Sequence, residues 1–192
     1  MISFIKLLLP FFFCFSAFAE IRPFVGVDLF QSISKNNGRI QYNNKDAFTE
    51  PHKQLTRLAV GLTYKPIEDK YLWLAVRTNR LANGYMERSV FDTVAKQDVK
   101  LLQKLTSDSF IVATAVHKYA LPFFVVSRTT AESHFIYKSG ASSKDKITTF
   151  LYGFGVSIPV QNKHSFSLTY FLPNKDFNNN GSIGLSYSFY VF

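Results

Sequence analysis

Cysteine is nearly absent from this chain of 192 residues, and that scarcity excludes several kinds of chemistry. The one cysteine, Cys14, lies in an apolar N-terminal segment that we expect to be removed. The mature chain would then have no disulfide, no thiol chemistry and no cysteine-ligated metal. A lipoprotein anchor at Cys14 is the alternative, although Phe13 stands where such an anchor has a small residue. The four histidines are dispersed without metal-ligand spacing, and we expect no cofactor.

Long apolar runs are also missing. The longest one, Leu7 to Phe15, is shorter than the roughly 20 residues that a membrane-spanning helix needs. It follows a basic residue and precedes Ala17-Phe18-Ala19, an A-x-A cleavage pattern. We therefore predict that a signal peptide at 1–19 is removed, leaving one mature domain at 20–192 that begins at Glu20.

Acidic residues are few, 13 against 22 basic ones, and the formal net charge is +9. A basic exported protein meets few nucleic acids, so we expect no nucleic-acid partner. Its anionic neighbours would be lipopolysaccharide phosphates, host polysaccharides or acidic surface proteins. Solubility and general charge balance explain the excess equally well.

Period-two alternation, the pattern of β-strands, recurs in eight segments of the chain. One face of each segment is apolar and often aromatic, and the other carries Gly, Ala, Ser, Thr and a few charges. The segments lie at about 22–33, 55–65, 71–82, 107–119, 122–137, 149–158, 164–173 and 183–189. In the fifth we assign Phe123 and Val125 to the lipid-facing side, and Arg128 and Glu132 to the other. A soluble β-sandwich would show the same period with its apolar face buried.

The connections between these segments alternate in length. Four are long or intermediate: 34–54, 83–106, 138–145 and 174–181. The three between them are short and lie at 66–70, near Ala120-Leu121 and at 161–163. Outer-membrane barrels have an even number of strands, short periplasmic turns and longer external loops. This alternation of long and short connections, together with the signal peptide, predicts an all-β fold. The specific prediction is an eight-stranded antiparallel up-and-down transmembrane β-barrel with both termini in the periplasm.

The segment 83–106 is open to two interpretations. Asn83-Gly84 is a hairpin signal, which would add an external hairpin and raise the strand count to about ten. The apolar residues downstream recur at near-helical spacing, which would instead place a short amphipathic helix over the rim. These residues are Phe91, Ala95, Val99, Leu102 and Leu105.

The alternating strands, the cleavage site at 17–19 and the segment Gly184-Leu185-Ser186-Tyr187-Ser188-Phe189 resemble a known group of proteins. They are the small outer-membrane β-barrels of Gram-negative bacteria, the OmpX/Ail and opacity-protein group. The resemblance implies contact with outer-membrane lipid and lipopolysaccharide, and a last strand that the barrel-assembly machinery reads; we expect a monomer. The residues of that assembly signal are Ile183, Leu185, Tyr187, Phe189 and Phe192. Because three residues follow Phe189, the machinery could read either of two registers.

Charged residues on the predicted inward faces form the first candidate site. They must pair, because an unpaired charge in a sealed barrel costs several kcal/mol. We predict a structural salt-bridge network in the lumen, with a functional ion path as the alternative, although eight strands leave little room for water. The residues are Asp28, Arg57, Arg77, Arg128 and Glu132.

A second candidate site depends on the register between the fourth and fifth segments. If their turn centres near Ala120-Leu121, Ser107 faces His134 and Ser109 faces Glu132 at the external rim. Serine, histidine and a carboxylate are the residue types of a hydrolytic triad, and some outer-membrane barrels are lipid A deacylases or acyltransferases. A slip of one residue breaks the arrangement, and polar side chains are also usual at a rim.

The external connections are the expected site of function, because rigid scaffolds commonly present variable loops. Loop 34–54 carries four basic residues against two acidic ones, and a later loop carries Lys138, Lys144 and Lys146 against Asp145. A solvated loop held near anionic headgroups would explain this charge as well as a binding site does. Such loops suit lipopolysaccharide phosphates or acidic host surface molecules. We therefore predict a non-enzymatic outer-membrane protein that serves surface interaction, adhesion or envelope integrity. A lipid A-modifying enzyme and a narrow pore are the alternatives.

Overall fold

Ten strands account for most of the part of the chain that the structure describes. This computed structural model describes residues 19–33, 41–42, 55–66, 72–92, 96–115, 120–161, 163–175 and 181–191. The strands are β1 (Ala19–Ser32), β2 (Gln41–Tyr42), β3 (Leu55–Pro66), β4 (Leu72–Leu81), β5 (Met86–Asp92), β6 (Gln97–Thr114), β7 (Leu121–Ile136), β8 (Ser142–Val160), β9 (His164–Phe171) and β10 (Ser182–Tyr190). Within these ranges, no helix is long and apolar enough to cross a membrane.

Eight of the strands form a closed antiparallel barrel. Their order around the barrel is β1, β3, β4, β6, β7, β8, β9 and β10, and β10 returns to β1. Val25, for example, pairs with Val60 on one side and with Phe189 across the closure. Because each of the eight strands has a hydrogen-bonded neighbour on both sides, the predicted eight-stranded barrel is confirmed and a two-sheet sandwich is excluded.

The described residues of segment 83–106 pair as a β-hairpin and form no helix; residues 93–95, and with them Ala95, lie outside the described ranges. Within it, β5 pairs with residues 97–103 of β6, while β4 pairs with residues 106–114 of the same strand. β4 and β5 are therefore one long strand that is interrupted at 82–85. Gly84 lies in this interruption, where it has a φ of 72° and donates its N–H to the Leu81 carbonyl at 3.0 Å. The Asn83-Gly84 signal thus marks a break in a strand, and the hairpin turn follows β5.

One side of the barrel continues past the rim as a four-stranded sheet, which we call the extension. The row Leu105–Ala131–Ile147 marks its base, because these residues pair in register across β6, β7 and β8. β2 adds a short parallel pairing to its outer strand, β5. The extension comprises residues 86–92, 97–105, 131–136 and 142–147. We call this end of the barrel the loop end and the opposite end the turn end.

Side chains alternate between the outside and the interior as predicted, with β7 as the exception. On β7, Phe124 is 47% exposed and Val125 only 3%. Phe123 and Val125 therefore face the interior, and the assignment of these two residues to the lipid side was wrong. The reason is that residues 121–126 are apolar on both faces, so alternation does not identify the outer one.

An apolar cluster fills the barrel interior toward the loop end and continues along the inner face of the extension. Its rings include Phe30 and Phe171, whose centroids lie 5.8 Å apart. A narrow eight-stranded barrel is filled by its own side chains, and this cluster does so above the middle of the barrel. The buried members are Phe30, Leu55, Leu81, Val99, Leu101, Val125, Ala131, Phe135, Leu151 and Phe171.

Two inward glycines provide a matched test of how tightly this interior is packed. A Cβ at Gly155 would collide with the Leu168 carbonyl and lie 2.5 Å from Phe123 Cζ, whereas a Cβ at Gly184 would meet nothing closer than 3.9 Å. We expect Gly155→Ala to lower the free energy of unfolding by about 1–3 kcal/mol, the usual cost of overpacking. Gly184→Ala should change it little. Urea unfolding of the refolded proteins measures both, and equal effects would contradict the packing described.

Candidate functional site

The middle of the barrel interior holds a buried ion cluster of Asp28, Arg57 and Arg77. Asp28 is 1% exposed, and its two carboxylate oxygens bind different arginines. Arg57 Nη2 lies 3.3 Å from Asp28 Oδ2, and Arg77 Nη2 contacts Asp28 Oδ1. The arrangement follows from the register, which places Asp28 directly opposite Arg57 on the neighbouring strand. The structure therefore brings together three of the five charged residues proposed for the lumen.

Polar neighbours hold the Arg77 side chain in place. Its Nε donates to Asn79 Oδ1 at 2.8 Å, and both Nη atoms lie 3.4 Å from Ser186 Oγ. Asn79 in turn donates from Nδ2 to Ser107 Oγ at 3.1 Å. Ser109 donates to Ser127 Oγ at 3.0 Å in the same layer. The contacts of 2.8–3.1 Å are the hydrogen bonds that buried polar groups require, whereas the two contacts to Ser186 are longer than normal ones.

Two aromatic rings, those of Phe30 and Phe171, lie between the ion cluster and the loop end. The Arg57 guanidinium carbon lies 4.3 Å from the centre of the Phe30 ring, a cation–π geometry. Phe30 packs against Phe171 in the apolar cluster described above. The filled interior gives the narrow-pore alternative no support.

The other two charged residues proposed for the lumen, Arg128 and Glu132, lie on the outside of the barrel, so that part of the prediction was wrong. Both are exposed on β7, because the outward face of this strand becomes polar toward the loop end. Glu132 Oε1 accepts a hydrogen bond from Lys146 Nζ at 3.0 Å. That hydrogen bond, together with the charges of Lys146 and Lys104, holds the pKa of Glu132 below its usual value.

The structure does not bring the proposed serine, histidine and carboxylate side chains together. Ser107 pairs with Thr129 and not with His134, a register difference of five residues. An odd shift reverses the faces, so Ser107 and Ser109 are buried in the interior while Glu132 and His134 point outward. The assumed turn centre near Ala120-Leu121 caused the error, since β6 ends at Thr114 and β7 begins at Leu121.

Sequence reasoning missed a basic surface on the outward face of β4–β8, which we call the basic face. It extends from the residues paired in register with Asp108 to those paired in register with Lys100. Six basic residues lie in this area, together with the three acidic residues Glu87, Asp108 and Glu132. Two of the ion pairs are short, Lys100–Glu87 at 2.8 Å and Lys146–Glu132 at 3.0 Å. The basic residues are Arg80, Lys100, Lys104, Arg128, Lys144 and Lys146. Their even spacing within each strand was the available signal, because residues two or four apart in a strand share a face.

The last strand faces outward through Ile183, Leu185, Tyr187 and Phe189, which are 36–54% exposed. Tyr190 and Val191, which follow Phe189, also have partners. The Tyr190 ring packs 5.8 Å from Phe24 at the turn end, its N–H donates to the Lys163 carbonyl, and the Val191 N–H donates to the Pro23 carbonyl. The role of this strand as an assembly signal stays a prediction.

Several predicted features lie outside the described residues. They are the signal peptide up to residue 18, Phe192 and most of loop 34–54. Ala19 and Glu20, at the predicted cleavage point, begin β1. In the described ranges, no group of three or more His, Cys, Asp or Glu residues is placed to hold a metal ion.

Removal of the Asp28 carboxylate charge tests the ion cluster. Asp28→Asn leaves two guanidiniums facing each other in the interior, and we expect a loss of about 3–5 kcal/mol in the free energy of unfolding. The control is Asp108→Asn, since Asp108 is 56% exposed and lies 3.7 Å from Arg80; its loss should be below about 1 kcal/mol. Urea unfolding at neutral pH measures both. Similar losses in the two variants would contradict a cluster that stabilises the fold.

Solved structures of one outer-membrane protein share this fold. The crystal structure of Ail, the attachment invasion locus protein of Yersinia pestis, with the heparin analogue sucrose octasulfate matches with a TM-score of 0.61 at 12% identity, covering 90% of this chain and 97% of Ail. A second crystal structure of Ail gives 0.57 at 11% identity, with the same coverage of 90% and 97%. Its backbone structure in a phospholipid bilayer nanodisc gives 0.50 at 14% identity, covering 89% and 99%.

No protein-family model and no curated protein sequence matches this chain. At 11–14% identity, the structural likeness establishes the fold alone. The chain has the closed eight-stranded fold of small outer-membrane β-barrels such as Ail.

Proposed function

We propose that this protein is a non-enzymatic integral protein of the Gram-negative outer membrane whose basic face binds phosphorylated lipopolysaccharide. It reaches the membrane through its signal peptide and the barrel-assembly machinery. This binding would link the barrel to the lipopolysaccharide of the surrounding outer leaflet and so serve envelope integrity. The observation that carries the proposal is the position of the basic face, directly above an exposed apolar belt on the same strands.

The apolar belt has the height that a membrane requires. On β8, outward apolar side chains run from Phe150 to Val160 and are 38–54% exposed. Ten residue steps of about 3.3 Å at a tilt of about 40° span roughly 25 Å, the height of the apolar band on outer-membrane barrels. A soluble monomer rarely exposes so large a continuous apolar surface. At the turn end, Tyr187 and His164 form an aromatic pair with a 2.7 Å hydrogen bond, as expected at a membrane interface.

The basic face lies where lipopolysaccharide phosphates would be. Arg128 is paired in register with Asp108 on one side and with Phe150, the last belt residue of β8, on the other. Lys104 and Lys146 flank Glu132 further toward the loop end. Arginine and lysine are the usual phosphate partners, and each is worth about 1 kcal/mol near an anionic membrane surface.

A non-enzymatic role is supported by the separation of the catalytic candidates. Ser107 and Ser109 donate or accept hydrogen bonds inside the barrel, while His134 and Glu132 lie on its outer surface. A nucleophile and its base must lie within hydrogen-bond reach. The described geometry therefore favours binding over lipid A modification.

Surface interaction with a soluble sulfated glycan is the second candidate function. The same exposed lysines would bind sulfate groups, and Ail, which shares the fold, has been crystallised with a heparin analogue. The face points sideways from the barrel toward the surrounding leaflet, which favours lipopolysaccharide as the first ligand.

Neutralisation of the face tests the proposal. In the face variant, Lys104→Gln, Arg128→Gln and Lys144→Gln remove three charges. The control variant removes one arginine and two lysines at the turn end, by Arg22→Gln, Lys65→Gln and Lys163→Gln. We expect the face variant to bind lipopolysaccharide at least about tenfold more weakly, since three interactions of roughly 1 kcal/mol are lost in part. The control variant should bind like the parent. Titration of the refolded proteins with lipopolysaccharide, dephosphorylated lipopolysaccharide and heparin measures the three affinities.

The outcomes separate the two ligands from the fold. A loss restricted to heparin would favour the soluble glycan, and equal losses in both variants would show nonspecific attraction and contradict the proposed site. Membrane insertion is checked on the same samples, because a folded barrel migrates differently on a gel before and after boiling. An unshifted band and recovery from the soluble fraction would contradict the membrane location.

A further inference from the structure

The barrel interior contains a cavity of about 90 Å³ on the turn-end side of the apolar cluster. Its walls include the ion cluster of Asp28, Arg57 and Arg77. Serine hydroxyls from three further strands line the same space, among them Ser157, Ser167 and Ser186. A cavity needs only about 10–15 Å³ to admit one water molecule, so this one has room for several small occupants.

The charge of this lining is not balanced. Asp28 is the one carboxylate among the described residues that line the cavity, and it is shared by the guanidiniums of Arg57 and Arg77. Arginine stays protonated in proteins, so neither group can lose its charge. The described lining residues therefore carry one positive charge more than negative ones, and the low dielectric of the interior makes it costly for Arg77 to have only a shared carboxylate.

Arg77 directs donors toward this space that are not fully used. Both of its Nη atoms reach Ser186 Oγ only at 3.4 Å, a distance longer than that of a normal N–H···O bond. The neighbouring serines bond mainly to one another, with Ser167 donating to Ser157 Oγ at 3.0 Å. Hydroxyl groups can turn to donate to a newly bound anion, and guanidinium donors form stronger bonds to charged acceptors than to neutral ones.

We propose that the cavity binds one small monovalent inorganic anion, such as chloride, between the Arg77 guanidinium and the serine hydroxyls. The anion gives the Arg77 guanidinium a second anionic partner, because Asp28 is shared with Arg57. An organic anion such as gluconate is much larger than chloride and serves as the comparison anion. This site is independent of the basic face, since it lies inside the barrel and concerns a free ion.

Anion-dependent stability tests the proposal. A ligand that binds only the folded state raises the free energy of unfolding as its concentration rises. We expect the urea midpoint of the refolded protein to rise with sodium chloride or bromide but not with sodium gluconate at equal ionic strength. Arg77→Gln should abolish this difference between anions, while Arg22→Gln, which removes an arginine outside the cavity, should preserve it. Asp28→Asn removes the carboxylate that Arg77 shares, so the difference should increase.

A second measurement uses the unmodified protein, in case the interior variants fail to fold. Crystals soaked in sodium bromide should show an anomalous peak within hydrogen-bond distance of Arg77 Nη1, whose one hydrogen-bond contact among the described residues is the long one to Ser186. Equal stability in chloride and gluconate, together with an empty cavity in bromide-soaked crystals, would overturn the proposal. A bromide peak confined to the outer surface would overturn it too, because it would show an adventitious ion only.

Discussion

The hydrogen bonds between β1 and β10 are the constraint on which the rest of the structure depends. Residues 24–32 pair with residues 182–190 without interruption, so neither strand is left as an edge. An unpaired backbone group in lipid costs several kcal/mol, which means that an apolar outer surface of this kind requires a closed sheet. Closure also assembles the interior, because β1 places Asp28 between Arg57 of β3 and Ser186 of β10.

The barrel wall divides the charges of the chain into two environments with different consequences. Inside, Arg57 and Arg77 must share one carboxylate, and the cost of an unsatisfied charge makes their geometry specific. Outside, Lys104 and Lys146 lie around Glu132 in solvent, where each pair contributes little to stability and remains available to ligands. The extension enlarges that outer surface without changing the barrel, since it only lengthens strands that already pair.

How much could be predicted from the sequence depended on how strictly each strand alternates. The faces of β1, β8 and β10 could be predicted because their outward positions in the barrel are mainly apolar and most of their inward positions are small or polar, despite the inward Phe30 and Leu151. β7 could not, since 121–126 is apolar on both faces. The register of β6 against β7 depends on turn geometry that composition does not encode, so an error of five residues placed Ser107 beside His134. Predicting the basic face required the same register, because its residues lie on β6, β7 and the strands next to them.

Amide hydrogen exchange in lipid nanodiscs tests closure most directly. We expect the amides of residues 24–32 and 182–190 to exchange as slowly as those of residues 150–158 in β8, because all are paired within the barrel wall. If β1 and β10 instead exchanged together at the fast rate of edge strands, while β8 stayed protected, the sheet would be open. That result would contradict the closed barrel and the interior built on it.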